Sequence, residues 1–408
     1  MPMTIRSYDE DRDLKAIERI WFECGWLENA RQAAYLKDFL AAGDCLIATI
    51  DDGAECAVHI SPGSMRYLDA QLKMCAVTAV TTSRVARKQG FARELTARQL
   101  AKGARGGAQI AALGMFEQGF YDRLGFGTGS YEHEFTFDPV TLMVDGSFRP
   151  PSRLDRDDWA VMHDSLLKRL TGHGGCVLET AGLIKAELGF SDDGFGLGYY
   201  EGADLTHFFW AEPRGEFGPY RIHFLAYRNT GQLMELLAVM RSLGDQVSSI
   251  IMIEPPELQL QDLLKQPFRT RRNTKASVHA NQHRSIAYWQ ARALDVDACV
   301  AARRWPGPQV DFNLVLTDPL SELLAGEPWS GVAGDYVVRV GADSSARRGA
   351  AAGLPVLEAG VGAFTRLLLG VAGASALALS DELSGPVDLL ARLDEAFCLP
   401  AARTTWDF

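Results

Sequence analysis

The stretch Val80-Thr81-Thr82-Ser83-Arg84-Val85-Ala86-Arg87-Lys88-Gln89-Gly90-Phe91-Ala92 decides how this chain is read. An apolar run of β type, residues 74–82, leads into it. A helical pattern leaves it, with Leu95, Arg98, Gln99, Leu100 and Lys102. A strand, a short basic loop with a glycine and a helix start, in that order, suit a pyrophosphate. Gly90 lets the backbone come close to a ligand. The free N–H groups of the first helical turn, and the helix dipole, favour an anion there. Arg87 and Lys88 add positive charge at the rim. Two other phosphate loops are excluded. No Gly-Lys-Ser/Thr follows, as a Walker loop needs, and Gly-x-Gly-x-x-Gly is missing. Taken alone, the stretch reads equally well as an ordinary helix N-terminus with a basic surface.

The surroundings read as one α/β domain over residues 1–148. Residues 3–8 suggest a strand. Asp9, Glu10 and Asp11 offer a cap and first-turn acids to a helix with Leu14, Ile17, Ile20, Trp21 and Cys24 on one face. Residues 45–50 and 55–60 form a hairpin about Asp51-Asp52-Gly53, residues 110–115 a buried strand, and residues 135–137 a closing one. Arg149-Pro150-Pro151-Ser152 reads as a linker. Residues 149–290 then repeat the order. A helix over 155–170 and strands over 196–201, 206–211 and 220–227 precede Arg228-Asn229-Thr230-Gly231. A helix over 232–243 and a strand over 246–253 follow. This is a degenerate second copy. Its loop lacks the extra basic residue and reads as structural. Residues 291–408 give a small α+β domain, with helices over 294–303, 356–379 and 380–397 and strands over 312–317 and 336–340.

Composition sets the outer limits. The chain has 408 residues, 47% hydrophobic and 23% charged, as in a globular protein of two or three domains. Its net charge of −11 argues against a nucleic-acid partner. Residues 1–20 hold five acids and no apolar core of signal type, and the apolar stretch 361–379 is interrupted by Arg366 and glycines. Cytoplasmic residence without membrane association is therefore expected. The seven cysteines are scattered, without a Cys-x-x-Cys, and read as reduced. His279 and His283 could share a helix face, but no third ligand accompanies them, so no metal is expected.

A second motif sharpens the first. Phe120-Tyr121-Asp122-Arg123-Leu124-Gly125-Phe126 follows the strand at 110–115. Arg-x-x-Gly-x-Ala after a strand, then Phe-Tyr-x-x-x-Gly-Phe after the next, resembles the GNAT N-acetyltransferases. With the degenerate repeat and the last region, the whole chain resembles the enhanced intracellular survival (Eis) family. That family has two tandem GNAT-like domains and a C-terminal sterol-carrier-protein-like domain. Its members end in an acid and a phenylalanine, here Asp407-Phe408.

The resemblance implies an acetyl-CoA-dependent N-acetyltransferase acting on amines of a polyamine-like substrate, aminoglycoside or similar. It implies Tyr121 as general acid, the C-terminal carboxylate of Phe408 as general base, and the Val80 N–H as the group that holds the thioester oxygen. Val80 and Thr82 would pair with pantetheine. Arg87, Lys88, Gly90, Phe91 and Ala92 would hold the pyrophosphate. Asp407, Trp26 and Glu28 are the acceptor-binding candidates, although aminoglycoside-acetylating members carry an acid where this chain has Trp26. A homohexamer is implied as well. The alternative is a catalytically idle acyl-CoA- or lipid-binding protein, for which the Gly/Ala-rich segment 360–378 could line a cavity.

Overall fold

The computed structural model describes residues 4–144, 148–267 and 275–406. The first segment runs β1 (Thr4–Ser7), α1 (Glu10–Cys24), α2 (Ala30–Ala33), α3 (Leu36–Ala41), β2 (Asp44–Ile50), β3 (Gly53–Tyr67), β4 (Ala70–Thr82), α4 (Phe91–Arg105), β5 (Ile110–Gly114), α5 (Gln118–Asp122), β6 (Gly127–Thr128) and β7 (Glu132–Phe137). The start of α1 is set by Asp9, whose side chain accepts from the Arg12 N–H, and its end by Gly25 at φ +77°. Ile17, Ile20 and Trp21 are its buried stripe.

The second segment holds β8 (Ser152–Leu154), α6 (Trp159–Leu167), β9 (Cys176–Leu178), α7 (Ala181–Phe190), β10 (Phe195–Glu201), β11 (Asp204–Pro213), β12 (Tyr220–Ala226), α8 (Thr230–Ser242), β13 (Ile250–Ile253), β14 (Gln282–Ile286) and β15 (Trp289–Ala293). The third holds α9 (Val296–Ala301), β16 (Val310–Thr317), α10 (Leu320–Leu323), β17 (Gly334–Val340), β18 (Ser345–Arg348), β19 (Val356–Gly360), α11 (Val361–Leu368), α12 (Ala374–Ser380), β20 (Leu383–Ser384) and α13 (Val387–Ala396).

Three sheets result, and they do not divide at residues 148 and 290. The first has the order β1-β2-β3-β4-β5-β15-β6, with β9 also on β3. The second runs β14-β7-β13-β12-β11-β10-β8, and the third β18-β17-β16-β19-β20. So β7 leaves the first segment to lie between β14 and β13. In return β15 inserts between β5 and β6. All five residues of β15 are buried, as a strand covered on both faces requires.

Three expectations are corrected. Residues 356–379 are not one helix. Residues 356–360 are β19, parallel to β16, with alternating exposure at the start. Two short helices follow, parted around Gly370 at φ +63°. The last helix starts at Val387, after Pro386, rather than at residue 380. His279 and His283 share no helix either. His283 lies on β14, where its Nε2 is 2.9 Å from His133 Nδ1 on β7. Arg269, Arg271, Arg272 and Lys275 form a basic run in the sequence, and of these only Lys275 lies within the described residues.

Candidate active site

The site starts from a gap in the first sheet. β4 and β5 pair in parallel only where Met74–Val77 face Ile110–Leu113. On its other edge β4 pairs with β3, and the register shifts so that Thr78 is the extra residue between Ala79↔His59 and Val77↔Ile60. Such a bulge bends a strand and raises its twist, and here it turns β4 away from β5. His59 holds the bulge, its Nδ1 2.6 Å from Thr78 Oγ1. Burial pushes the His59 imidazole down to about 4.

The ladder also fixes where the backbone points. Ser83 N–H donates to Glu55 O at 2.8 Å. Bonded and unbonded pairs alternate in an antiparallel ladder. With Thr82 opposite Cys56 and Val80 opposite Val58, the backbone groups of Val80 and Thr82 face away from β3, into the gap. An extended amide chain laid there would find a strand edge ready to pair.

The chain then turns through Lys88, at φ +62°, and Gly90, at φ +86°, into α4. A Cβ at Gly90 would meet no atom within 4 Å, so the glycine is required by its backbone angle. No side chain caps α4, and its first-turn N–H groups remain available to an anion. The second copy differs at this point. There Asn229 Oδ1 accepts from Gln232 N–H and caps α8. Arg228 is locked in a two-point pair with Asp204, at 2.6 and 2.8 Å. Its loop is closed by its own side chains, in keeping with a structural role.

A groove of about 650 Å³ follows from these elements, lined by Val80, Thr82, Arg87, Lys88, Gly90, Phe91, Ala92 and Trp26 among others. It runs into a second groove of about 460 Å³, lined by Val77 to Val80, Tyr121, Arg221, Tyr288, Trp26 and Phe116. Tyr121 reaches it from α5 and is 2% exposed. Its ring packs edge-on against Phe116, Phe120 and Phe126, with centroids 5.9, 4.8 and 6.1 Å away. Burial drives its hydroxyl pKa well above the ordinary phenol value, so it stays protonated near neutrality.

Other candidates fall elsewhere. Trp21, from the apolar face of α1, is core, 3% exposed, packed edge-on against Phe39 and Trp26. Glu28 lines neither groove; its backbone N–H donates to Gln32 Oε1 at the start of α2. Asp407 and Phe408 lie outside the described residues.

The residues before them are firmly held. Thr404 Oγ1 and Thr405 N–H both donate to Glu132 Oε1 at 3.0 Å. Arg169 donates to Thr405 O at 3.0 Å, and Tyr288 Oη to Trp406 O at 2.9 Å. Arg403 pairs with Glu254 at 2.9 Å. Arg169 is buried deeply enough to be pushed down to about 10, still a cation at pH 7. Tyr288 both holds this tail and lines the groove at Tyr121. Sequence reasoning missed Glu132, Arg169, Arg221 and Tyr288. Each is an ordinary residue in the sequence; Glu132 and Arg221 lie on second-sheet strands, and only the fold brings them near the tail or the Tyr121 groove.

Residues 5–129 match the acetyltransferase (GNAT) domain family. The chain carries a GNAT domain. Residues 296–406 match the sterol carrier protein domain family. Three solved structures share the fold from end to end. Eis1 from Mycobacterium abscessus aligns at 17% identity over 99% of this chain and 100% of its own, with a TM-score of 0.77. A GCN5-related N-acetyltransferase from Anabaena variabilis aligns at 15% identity over 100% of both chains, with a TM-score of 0.79. Another from Kribbella flavida aligns at 18% over 100% and 98%, with a TM-score of 0.75. No curated relative matches the sequence. The chain thus carries a GNAT acetyltransferase domain and a sterol-carrier-like domain, and over its whole length it shares the fold of Eis1 and of the two GCN5-related N-acetyltransferases. Among the described residues no group of three or more His, Cys, Asp or Glu side chains could hold a metal ion. No described helix is long and apolar enough to cross a membrane.

Proposed function

We propose that this GNAT domain moves the acetyl group of acetyl-CoA to a primary amine, with Tyr121 as general acid and the α-carboxylate of Phe408 as general base. The observation that carries the reading is the turned-out edge of Val80 and Thr82, which runs from the uncapped start of α4 to the protonated Tyr121 hydroxyl. Along that line the N-terminus of α4, with Arg87, Lys88, Gly90, Phe91 and Ala92, takes the pyrophosphate, and Val80 and Thr82 pair with the pantetheine amides.

The amine nitrogen bonds to the thioester carbon, and the oxygen's developing charge rests on the Val80 N–H. The C–S bond then breaks, and Tyr121 Oη gives its proton to the sulfur. The proton lost by the amine goes to the terminal carboxylate. A free α-carboxyl has a pKa of roughly 3.3–3.7 and becomes a useful base only where burial raises it. The clamp on Thr404, Thr405 and Trp406 supports this role, because Tyr288, which bonds to Trp406 O, also lines the groove at Tyr121. Trp26 offers the acceptor an aromatic wall, and Asp407 is the acid proposed beside it.

Thiol release from acetyl-CoA, measured with aminoglycosides, polyamines, lysine peptides, amino acids and arylalkylamines, tests the activity. Acetyl-CoA that fails to bind in calorimetry would sink the reading at its base. Turnover unchanged by removal of Phe408 would take the terminal carboxylate out of it.

A further inference from the structure

We propose that Arg221 selects an acceptor bearing a carboxylate close to its amine, as an α-amino acid does. The proposal rests on the acetyltransferase reading above and names the substrate class of that same site. Arg221 is the one formally charged side chain among the described residues lining the groove at Tyr121. The rest of the lining is apolar or aromatic, or carries a hydroxyl. A polycation placed there would set ammonium groups beside a guanidinium, with no described carboxylate in the lining to answer them.

Arg221 is also oriented. It stands on β12, and its Nη2 lies 2.8 Å from Glu134 Oε2. The Glu134 side chain is buried and meets a second cation, Arg284 Nη1, at 3.4 Å. One carboxylate therefore faces two guanidinium groups, while Glu132 and Glu254, which line the adjoining cavity with Arg221, are engaged by Thr404, Thr405 and Arg403. A guanidinium has five N–H donors, so one ion pair with Glu134 leaves others for a second carboxylate, in the fork geometry that arginine favours. Trp26, Phe116 and Tyr288 would cover an apolar side group, with the amine directed to the thioester.

Three matched acceptors test this: phenylalanine, phenylalaninamide and phenylethylamine, each assayed by thiol release with wild type and Arg221→Gln. The expected result is a kcat/KM order with phenylalanine first. R221Q should lower the phenylalanine value about 10- to 100-fold, the range of a lost charge-assisted contact. It should leave phenylalaninamide within about 3-fold, and the Kd for acetyl-CoA unchanged. No preference for phenylalanine in the wild type would overturn the proposal. So would an equal fall for all three acceptors in R221Q, which would mean that Arg221 serves the tail or the fold instead. If acetyl-CoA binds and none of the three is turned over, calorimetry with N-acetylphenylalanine and N-acetylphenylalaninamide on the CoA complex decides. Tighter binding of the acid, lost in R221Q, supports the proposal, and equal or absent binding overturns it while the acetyltransferase reading stands. A protein that does not bind acetyl-CoA overturns that reading, and this one with it.

Discussion

Tyr121 is kept protonated by burial among three phenylalanines. Replacing it with phenylalanine retains the ring packing and removes the hydroxyl that would give the proton. Tyr121→Phe should therefore lower kcat by about 10²–10⁴ and leave the Kd for acetyl-CoA, measured by calorimetry, within about 2-fold. His59 gives a prediction of opposite character. Its folded-state value, about 4, lies below its ordinary 6.5. The neutral ring is favoured in the fold, so stability is fully present above pH 6.5 and is lost as pH falls from there toward 4. The loss amounts to about 3 kcal/mol at most. His59→Gln should flatten that part of a denaturant-melt pH profile. At this scale what the sequence made legible is that Tyr121, Val80, Thr82, Arg87, Lys88, Gly90, Phe91 and Ala92 belong to local motifs, and these residues line the two grooves. Arg221 and Tyr288 were not legible, since a contact across a strand exchange leaves no periodic trace.

At the scale of elements, α4 and α8 follow the same strand–loop–helix order and differ at their first turns. One is open, and the other is capped by Asn229. The sequence distinguished them by charge; the cap adds the physical reason. It did worse with residues 356–379, where a Gly/Ala-rich apolar run hid a strand beneath helical composition. Only pairing with β16 decides that segment, and pairing is non-local. The tail is the other element whose order was not readable, because a chain end is free unless something holds it. Glu132 provides that hold from β7. Glu132→Ala should leave acetyl-CoA binding intact and lower kcat about 10- to 100-fold, since small misplacements of a reacting group cost that much. In a variant already lacking Asp407 and Phe408 the same substitution should cost nothing further. Equal losses in both backgrounds would show that Glu132 acts on the fold and not through the tail.

Across the molecule, the sterol-carrier-like domain is fastened to the GNAT sheet at β15 and α11. Arg292 and Asp318 form a fully buried pair at 2.6 Å, and Ala293 N–H donates to Thr365 Oγ1 at 2.9 Å. Tyr67 Oη donates to Leu368 O at 2.8 Å. Gly127 and Gly362 allow the backbones to touch, since a Cβ on Gly127 would lie 2.4 Å from Gly362 O. Arg292→Met strands the Asp318 charge and should destabilise the protein by about 3–5 kcal/mol, read from denaturant melts; adding Asp318→Asn should recover part of it. The order of three regions was legible from composition and motif. The exchange of β7 for β15 was not, because neither Glu132–Phe137 nor Trp289–Ala293 carries in its own residues a mark of the sheet it joins.

That exchange has a consequence for how the protein is made. As the chain leaves the ribosome, β5 emerges about 175 residues before β15, a delay of roughly 10–35 s at ordinary synthesis rates. Until then the edge of β5 offers unpaired backbone groups to any passing strand. A stalled or truncated chain ending near residue 144 would contain both motifs and Tyr121 and still lack the strand that closes its sheet. Such a product should aggregate rather than acetylate, which makes complete translation a condition of activity.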